Sequence, residues 1–282
     1  LYAKLGANAG CASPLSLTGI LAKELSEPLG YTGFSLHLFI STLLSGFVFT
    51  LIVYVLYKGY KVKADNPMKL SEIAKFNGKQ RITMAAIVIM VICCIGFKLD
   101  TGLFAFVMAA VLILLGCADE KKAIKSIPWG TLLMICGVGV LVNMISLLGG
   151  IDLISDTLAS FMTEHTATPI MAATSGILSW VSSTTAVVMP TLYPISAEIC
   201  QRFAGVNYVE LIAAITATSF AAAISPLSTG GAIIMSSYSA ARETSTEEMN
   251  KMFYTLFLLS VGNVVVNVLM AAIGVFSLGG LF

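Results

Sequence analysis

Charge is what this sequence has least of. Of its 282 residues, 11% are charged and 57% hydrophobic, and the mean hydropathy is +0.91. A soluble domain carries roughly 25% charged residues, so the composition excludes a water-soluble globule and predicts an all-α polytopic membrane protein. The net charge of +1 offers no footprint for nucleic acid. The six cysteines (Cys11, Cys93, Cys94, Cys117, Cys136 and Cys200) form no C-x-x-C pair and lie in or beside apolar stretches. They read as small buried hydrophobes, and neither a disulfide framework nor a zinc site is supported. The chain opens on Leu1 and lacks a signal-peptide pattern. We read it as the later part of a longer protein, with the N-terminal part missing.

Long apolar runs are plentiful. Phe34–Tyr57, Ile82–Phe97, Thr101–Cys117, Trp129–Leu148 and Met252–Leu278 each approach or exceed the ~20 residues a bilayer requires. Between the first two lies a short loop, 58–81, with Lys58, Lys61, Lys63, Lys69, Lys75, Lys79 and Arg81 against Asp65 and Glu72. Short basic loops stay cytoplasmic, so loop 58–81 is placed on that side of the cytoplasmic (inner) membrane. Two spans later Lys121, Lys122 and Lys125 return to the same side, and Arg242 and Lys251 do so again. Met68, Leu70, Ile73, Ala74 and Phe76 share a helical face, which fits either a helix lying on the membrane surface or a solvated linker.

Three apolar segments are built wrongly for a continuous helix in lipid. Residues 11–20 read CASPLSLTGI and residues 223–232 read AISPLSTGGA, so Ser-Pro-Leu-Ser recurs 212 positions apart. Between them, 168–199 carries four consecutive hydroxyls, Ser182, Ser183, Thr184 and Thr185, followed by Pro190 and Pro194. Unpaired backbone groups in hydrocarbon cost several kcal/mol each, so irregular backbone persists there only inside protein or beside a watery cavity. A helix that starts at mid-membrane aims free N–H groups and a positive dipole end at its surroundings, and a helix that stops there presents carbonyls. We therefore read 168–199 as a hairpin of two half-helices with its tip at 181–185, and 1–28 and 209–241 as broken helices. Pro14 and Pro226 each remove a backbone donor. Gly19, Gly230 and Gly231 are read as positions that need unusual dihedrals. The basic loops make the two broken helices run in opposite directions, the mark of an inverted-repeat transporter.

The candidate binding residues follow: Ser182, Ser183, Thr184, Thr185 and Pro190 at the hairpin, Ser225, Pro226, Ser228, Thr229 and Gly230 at the second break, and Ser13, Pro14, Ser16 and Thr18 at the first, with Asn8 beside it. Neutral hydroxyls and helix ends suit a small organic anion, with Na+ placed at the same loops. No cofactor is expected beyond a coupling Na+ or H+. Asn263 and Asn267 lie one turn apart on the final span, where they can bond a neighbouring helix or a partner subunit.

GANAGCASPLSLTGI (6–20), WVSSTTAVVMPTLYP (180–194) and SPLSTGGA (225–232) resemble the signature stretches of the ion transporter superfamily. The likeness is nearest to its divalent-anion:sodium symporters of the malonate and C4-dicarboxylate carrier type. IPWGTLLMICGVGVLVNMISLLGGIDLISDTLA (127–159) is similar to the stretch before that family's second hairpin. The resemblance implies that residues 1–57 end a first inverted repeat, that 58–81 links the repeats, and that 82–282 form the second. It further implies an elevator-type carrier of di- or tricarboxylates, a homodimer, and a first hairpin upstream of residue 1. Many relatives carry Ser-Asn-Thr at the hairpin tip, where this chain has Ser182–Thr185.

Two other functions were weighed. A cation/proton antiporter or arsenite-type extruder of the same superfamily usually needs ionisable residues at mid-membrane; Asp152, Asp156, Glu164, Glu198 and Glu210 all fall near predicted interfaces. A membrane hydrolase would need a base beside its nucleophile. His37 and His165, the only histidines, are placed far from Ser183 and Ser228, and the chain has no G-x-S-x-G.

Overall fold

A computed structural model describes residues 6–8, 10–61, 76–97, 99–127, 129–241 and 245–281. The surface segment read at 68–76 lies almost wholly outside these residues. Among them the secondary structure is entirely helical, and the chain divides into two compact units, 58–130 and the remainder.

The unit 58–130 holds α3 (Gly78–Phe97), α4 (Thr101–Leu114) and α5 (Glu120–Ser126). Asp100 starts α4 by accepting from the Leu103 N–H at 2.7 Å, and Asp119 starts α5 by accepting from Lys122 at 2.8 Å, each satisfying one orphan donor of a helix start. Gly116, at φ +66, turns the chain after α4. No residue of α4 is buried. A helix this apolar with so little protein cover is suited to lipid, where its backbone bonds are all internal.

The other unit contains α1 (Leu17–Ser26), α2 (Ser35–Leu56), α6 (Trp129–Leu147), α7 (Gly150–Ala159), α8 (Ala167–Val181), α9 (Met189–Arg202), α10 (Tyr208–Ala222), α11 (Thr229–Ala241) and α12 (Thr246–Ala272). Among the described residues only α2 and α12 are singly long and apolar enough to cross a membrane. A third span is counted if Cys136–Leu147 and Gly150–Ala159, bent by 80°, are taken as one. Gly149 makes that bend at φ +74. The sequence reading stops the span at Leu148 and does not foresee α7.

On α2, Leu38, Ser41, Thr42, Ser45, Phe49 and Val53 are buried, a stripe at helical spacing, while Leu43, Phe47 and Leu51 face outward. α12 begins with a capping box, Ser245 and Glu248, and buries Ser260, Asn263 and Asn267 along one side. Nearly every residue of α10 is buried, so it is the central helix. Ala213, Ala214, Ala217, Ala221 and Ala222 let neighbours approach closely, as small residues do between membrane helices.

The segment 167–202 folds back on itself. Ser179 on α8 bonds the Ser219 carbonyl near the end of α10, whereas Thr168 shares a pocket with Glu210 at its start; α8 therefore runs parallel to α10. Tyr193 on α9 bonds Thr216, and the chain then returns through Phe203–Asn207 to the start of α10, so α9 runs the other way. The outer ends of the two arms meet, where a Cβ on Gly205 would lie 2.8 Å from Glu164 Oε2. The first segment is likewise antiparallel to α10. Asn8 touches Phe220 and Ser26 touches Tyr208 at 3.0 Å.

Candidate functional site: two broken helices and a hairpin tip

The two Ser-Pro-Leu-Ser breaks have the same internal wiring. The Ser16 hydroxyl donates to the carbonyls of Cys11 and Ser13, and the Ser228 hydroxyl donates to those of Ala223 and Ser225. Each serine then caps the restarting helix, accepting from Gly19 N–H at 3.2 Å and from Gly231 N–H at 3.5 Å. Backbone bonds Ser13→Gly10 and Ser16→Ser13 in the first copy match Ser225→Ala222 and Ser228→Ser225 in the second. One hydroxyl thus ties up loose carbonyls on one side of a break and a loose N–H on the other.

The glycines act by proximity. A Cβ on Gly19 would lie 2.1 Å from the Ser13 carbonyl oxygen, and one on Gly231 would lie 2.1 Å from that of Ser225. Neither glycine has positive φ. The dihedral reading is therefore corrected for these two: they are required because the restarting helix presses on the carbonyl two residues before each Leu-Ser pair. The copies differ in cover, Pro14 being exposed and Pro226 buried.

At the hairpin tip, Ser182 donates to Leu178 O at 2.6 Å, and Ser183 caps the next turn by accepting from Ala186 N–H. That turn, Thr184–Val188, is a π-helix, in which Val188 N–H reaches back five residues to Ser183 O at 3.2 Å. Pro190, buried in the first turn of α9, has no N–H to return to the turn before it, and a π-turn is a known way to absorb such a break. Ser179 has one proton, given to Ser219 O at 2.7 Å, so in its 3.0 Å pair with Thr184 the threonine is the donor. Thr185 is half-buried.

These elements converge on the last turn of α10. Its four terminal carbonyls each accept from a different side chain. Ser179 takes Ser219 O, Asn8 takes Phe220 O at 2.8 Å, Asn263 takes Ala221 O at 3.3 Å, and Ser260 takes Ala222 O at 2.7 Å. A helix end leaves four carbonyls without continuing helix partners, and here the hairpin, the first broken segment and the last span give each a side-chain donor, beside the Ala223 and Ser225 N–H groups on Ser219 O and Ala222 O. Asn8 is thus brought to the second break, and Thr184 reaches it through Ser179. The hydroxyls of Ser182–Thr185 bond neither Ser13–Thr18 nor Ser225–Ser228 directly among the described residues. Thr18 and Ser225 are buried, Thr229 and Gly230 open α11, and the Thr229 side chain lies outside the described residues.

Sequence reasoning missed Ser179 and Ser260. An isolated serine within an apolar run carries no signal of which carbonyl it serves. Asn263 and Asn267 bond within the chain: Asn267 joins Asn263 at 3.1 Å and accepts from Ser45 of α2 at 2.5 Å. Every buried polar residue among those described is Ser, Thr or Asn, and none is charged.

Apolar helices, a neutral polar interior and a bent helix pair are the architecture of a polytopic membrane transporter. The chain belongs to the citrate transporter family (CitMHS), whose pattern residues 5–218 match. That match spans the first break, the hairpin and α10 as far as Thr218. No curated protein matches the chain.

Proposed function

We propose that this chain carries out secondary transport of citrate, or of a related di- or tricarboxylate, across the cytoplasmic membrane, coupled to Na+ or H+, with the hairpin and broken helices moving together as an elevator-type unit. The carrying observation is that three helix starts, capped by Ser16, Ser183 and Ser228, belong to segments tied together at the last turn of α10, in an interior whose described residues include no buried charged side chain. An N-cap serine satisfies one N–H of a helix start, and the remaining first-turn N–H groups suit a carboxylate. The same absence of buried acids among the described residues favours a carboxylate carrier over a proton antiporter or arsenite-type extruder, which needs a titrating group at depth. In this reading the antiparallel arms 167–202 enter and leave the membrane on one side, and the carrier is a homodimer.

The test is uptake of radiolabelled citrate, malonate, malate and succinate into proteoliposomes containing the purified chain, with imposed Na+ or pH gradients. Citrate accumulation above the passive leak, enhanced by one of the gradients, is the expected result. Absence of uptake for all four carboxylates, alongside Na+-driven proton flux, would overturn the reading in favour of an antiporter.

A further inference from the structure

The unit 58–130 has a groove of about 350 Å³ at the end where its basic residues gather. Cys117, just past the end of α4, lines it together with Lys79 and Thr83 from the first turns of α3. The two helices therefore run antiparallel, and the groove lies between their ends. Its apolar lining is Phe76 and Met84, which stand 61% and 48% exposed. Its polar lining is rich in donors. Asn77 and Gln80 close the start of α3 reciprocally, each accepting the other's backbone N–H on its carboxamide oxygen, at 2.8 Å and 2.9 Å. What each amide has not used is its own N–H pair, beside the ammonium group of Lys79. Thr83 gives its one proton to Lys79 O at 3.0 Å. No carboxylate lines the groove among the described residues.

The level of this groove relative to the membrane is marked by the chain that follows it. α5 carries Lys121, Lys122 and Lys125, with Ile124 and Ile127 exposed beside them. Trp129, also exposed, turns its ring back so that Nε1–H donates to Ile124 O at 3.1 Å. Lysines, exposed isoleucines and an indole in so short a stretch belong at the boundary between hydrocarbon and water. α4, which buries none of its residues, leads directly to this corner. Lys79, Arg81, Lys121, Lys122 and Lys125 face only Asp119 and Glu120 as acids in these stretches, and Asp119 is engaged in capping α5.

We propose that this groove docks a phospholipid with a net negative headgroup. Its phosphodiester is held by Lys79, Asn77 and Gln80, and its glycerol and upper acyl chains lie over Phe76 and Met84. The occupant is a lipid and not free phosphate, because part of the lining is apolar and adjoins the end of a helix suited to hydrocarbon. It is anionic and not zwitterionic, because basic side chains outnumber acids at this end, and each basic side chain near a membrane surface favours anionic lipid. The docking surface is built wholly within the unit 58–130 and rests on no part of the transport reading.

The test uses the purified full chain in detergent, stripped of co-purifying lipid and titrated with phosphatidylglycerol or phosphatidylcholine. Native mass spectrometry counts the lipid retained, and Tm reads stability. Retention of phosphatidylglycerol with a saturable rise in Tm, neither seen with phosphatidylcholine, is expected. Lys79→Gln should weaken phosphatidylglycerol binding about fivefold, the worth of one basic side chain near a membrane surface. Thr83→Trp, which fills the groove without changing its charge, should weaken it at least as much, and Lys251→Gln in the other unit should leave it unchanged. Equal retention of the two lipids overturns the assignment to an anionic headgroup. An equal loss in Lys251→Gln and Lys79→Gln reduces the effect to general attraction and overturns the groove. A rise in Tm of the same size with glycerophosphoglycerol, the headgroup without its chains, overturns a lipid as the occupant. Should Thr83→Trp fail to fold, unaltered phosphatidylglycerol affinity in Lys79→Gln overturns the proposal by itself.

Discussion

A Cβ at position 19 or 231 would stand 2.1 Å from a carbonyl oxygen, and that atom is backbone, which cannot swing aside as a side chain can. Gly19→Ala and Gly231→Ala must therefore open the Ser-capped turns, at a cost of about 1–3 kcal/mol each by analogy with overpacked sites. Gly139→Ala on α6, where a Cβ meets nothing within 4 Å, should leave uptake unchanged and the thermal midpoint level or slightly raised, because alanine favours a helix interior over glycine. Melting curves of the three variants with parallel uptake assays test this; a Gly231→Ala protein as stable and active as Gly139→Ala would show that the break relaxes freely. The identity of the breaks was legible from Ser-Pro-Leu-Ser and its repeat. The reason for the glycines was not, because close approach across six residues leaves the same letter in the sequence as a left-handed dihedral does.

At the scale of elements, the hairpin is tied to α10 through Ser179, whose hydroxyl satisfies the Ser219 carbonyl while accepting from Thr184. Ser179→Ala removes both its bonds, to the Ser219 carbonyl and from Thr184, at about 0.5–1.5 kcal/mol each, while the Ser219 carbonyl keeps the Ala223 N–H. Thr184→Ala removes only the outer bond, for which about 0.5–1.5 kcal/mol is the usual net worth, but should reduce uptake as strongly, since the tip no longer has its anchor. Thermal stability and uptake measured side by side separate the two effects. Equal destabilisation would place the anchor at Thr184 itself. Hairpin and breaks could be read from hydroxyl runs and prolines because lipid makes such residues costly. The 80° bend at Leu148–Gly149 could not, since two glycines after an apolar run end a span equally well with or without a helix beyond them.

Across the whole molecule, burial separates the helices by environment. α10 is enclosed, α2 and α12 show one apolar face each, and α4 buries none of its residues. A lipid-borne carbene reagent should therefore label Leu43, Phe47 and Leu51 on α2, Val265 and Leu269 on α12, and Phe106 on α4, and leave Leu211, Ile212 and Ile215 on α10 unlabelled, as read by peptide mass spectrometry. Labelling of α10 comparable to that of α2 would refute this arrangement. Composition alone could separate membrane from water, but not one apolar helix from another. α10 and α4 are both largely apolar, and their neighbours decide which of them meets lipid.

The bond between Asn8 and Phe220 joins two residues 212 positions apart, the same interval that separates Ser16 from Ser228 and Gly19 from Gly231. The first copy of the motif is therefore not only built like the second but fastened to the helix that leads into it, so a shift of one break would be felt at once by the other.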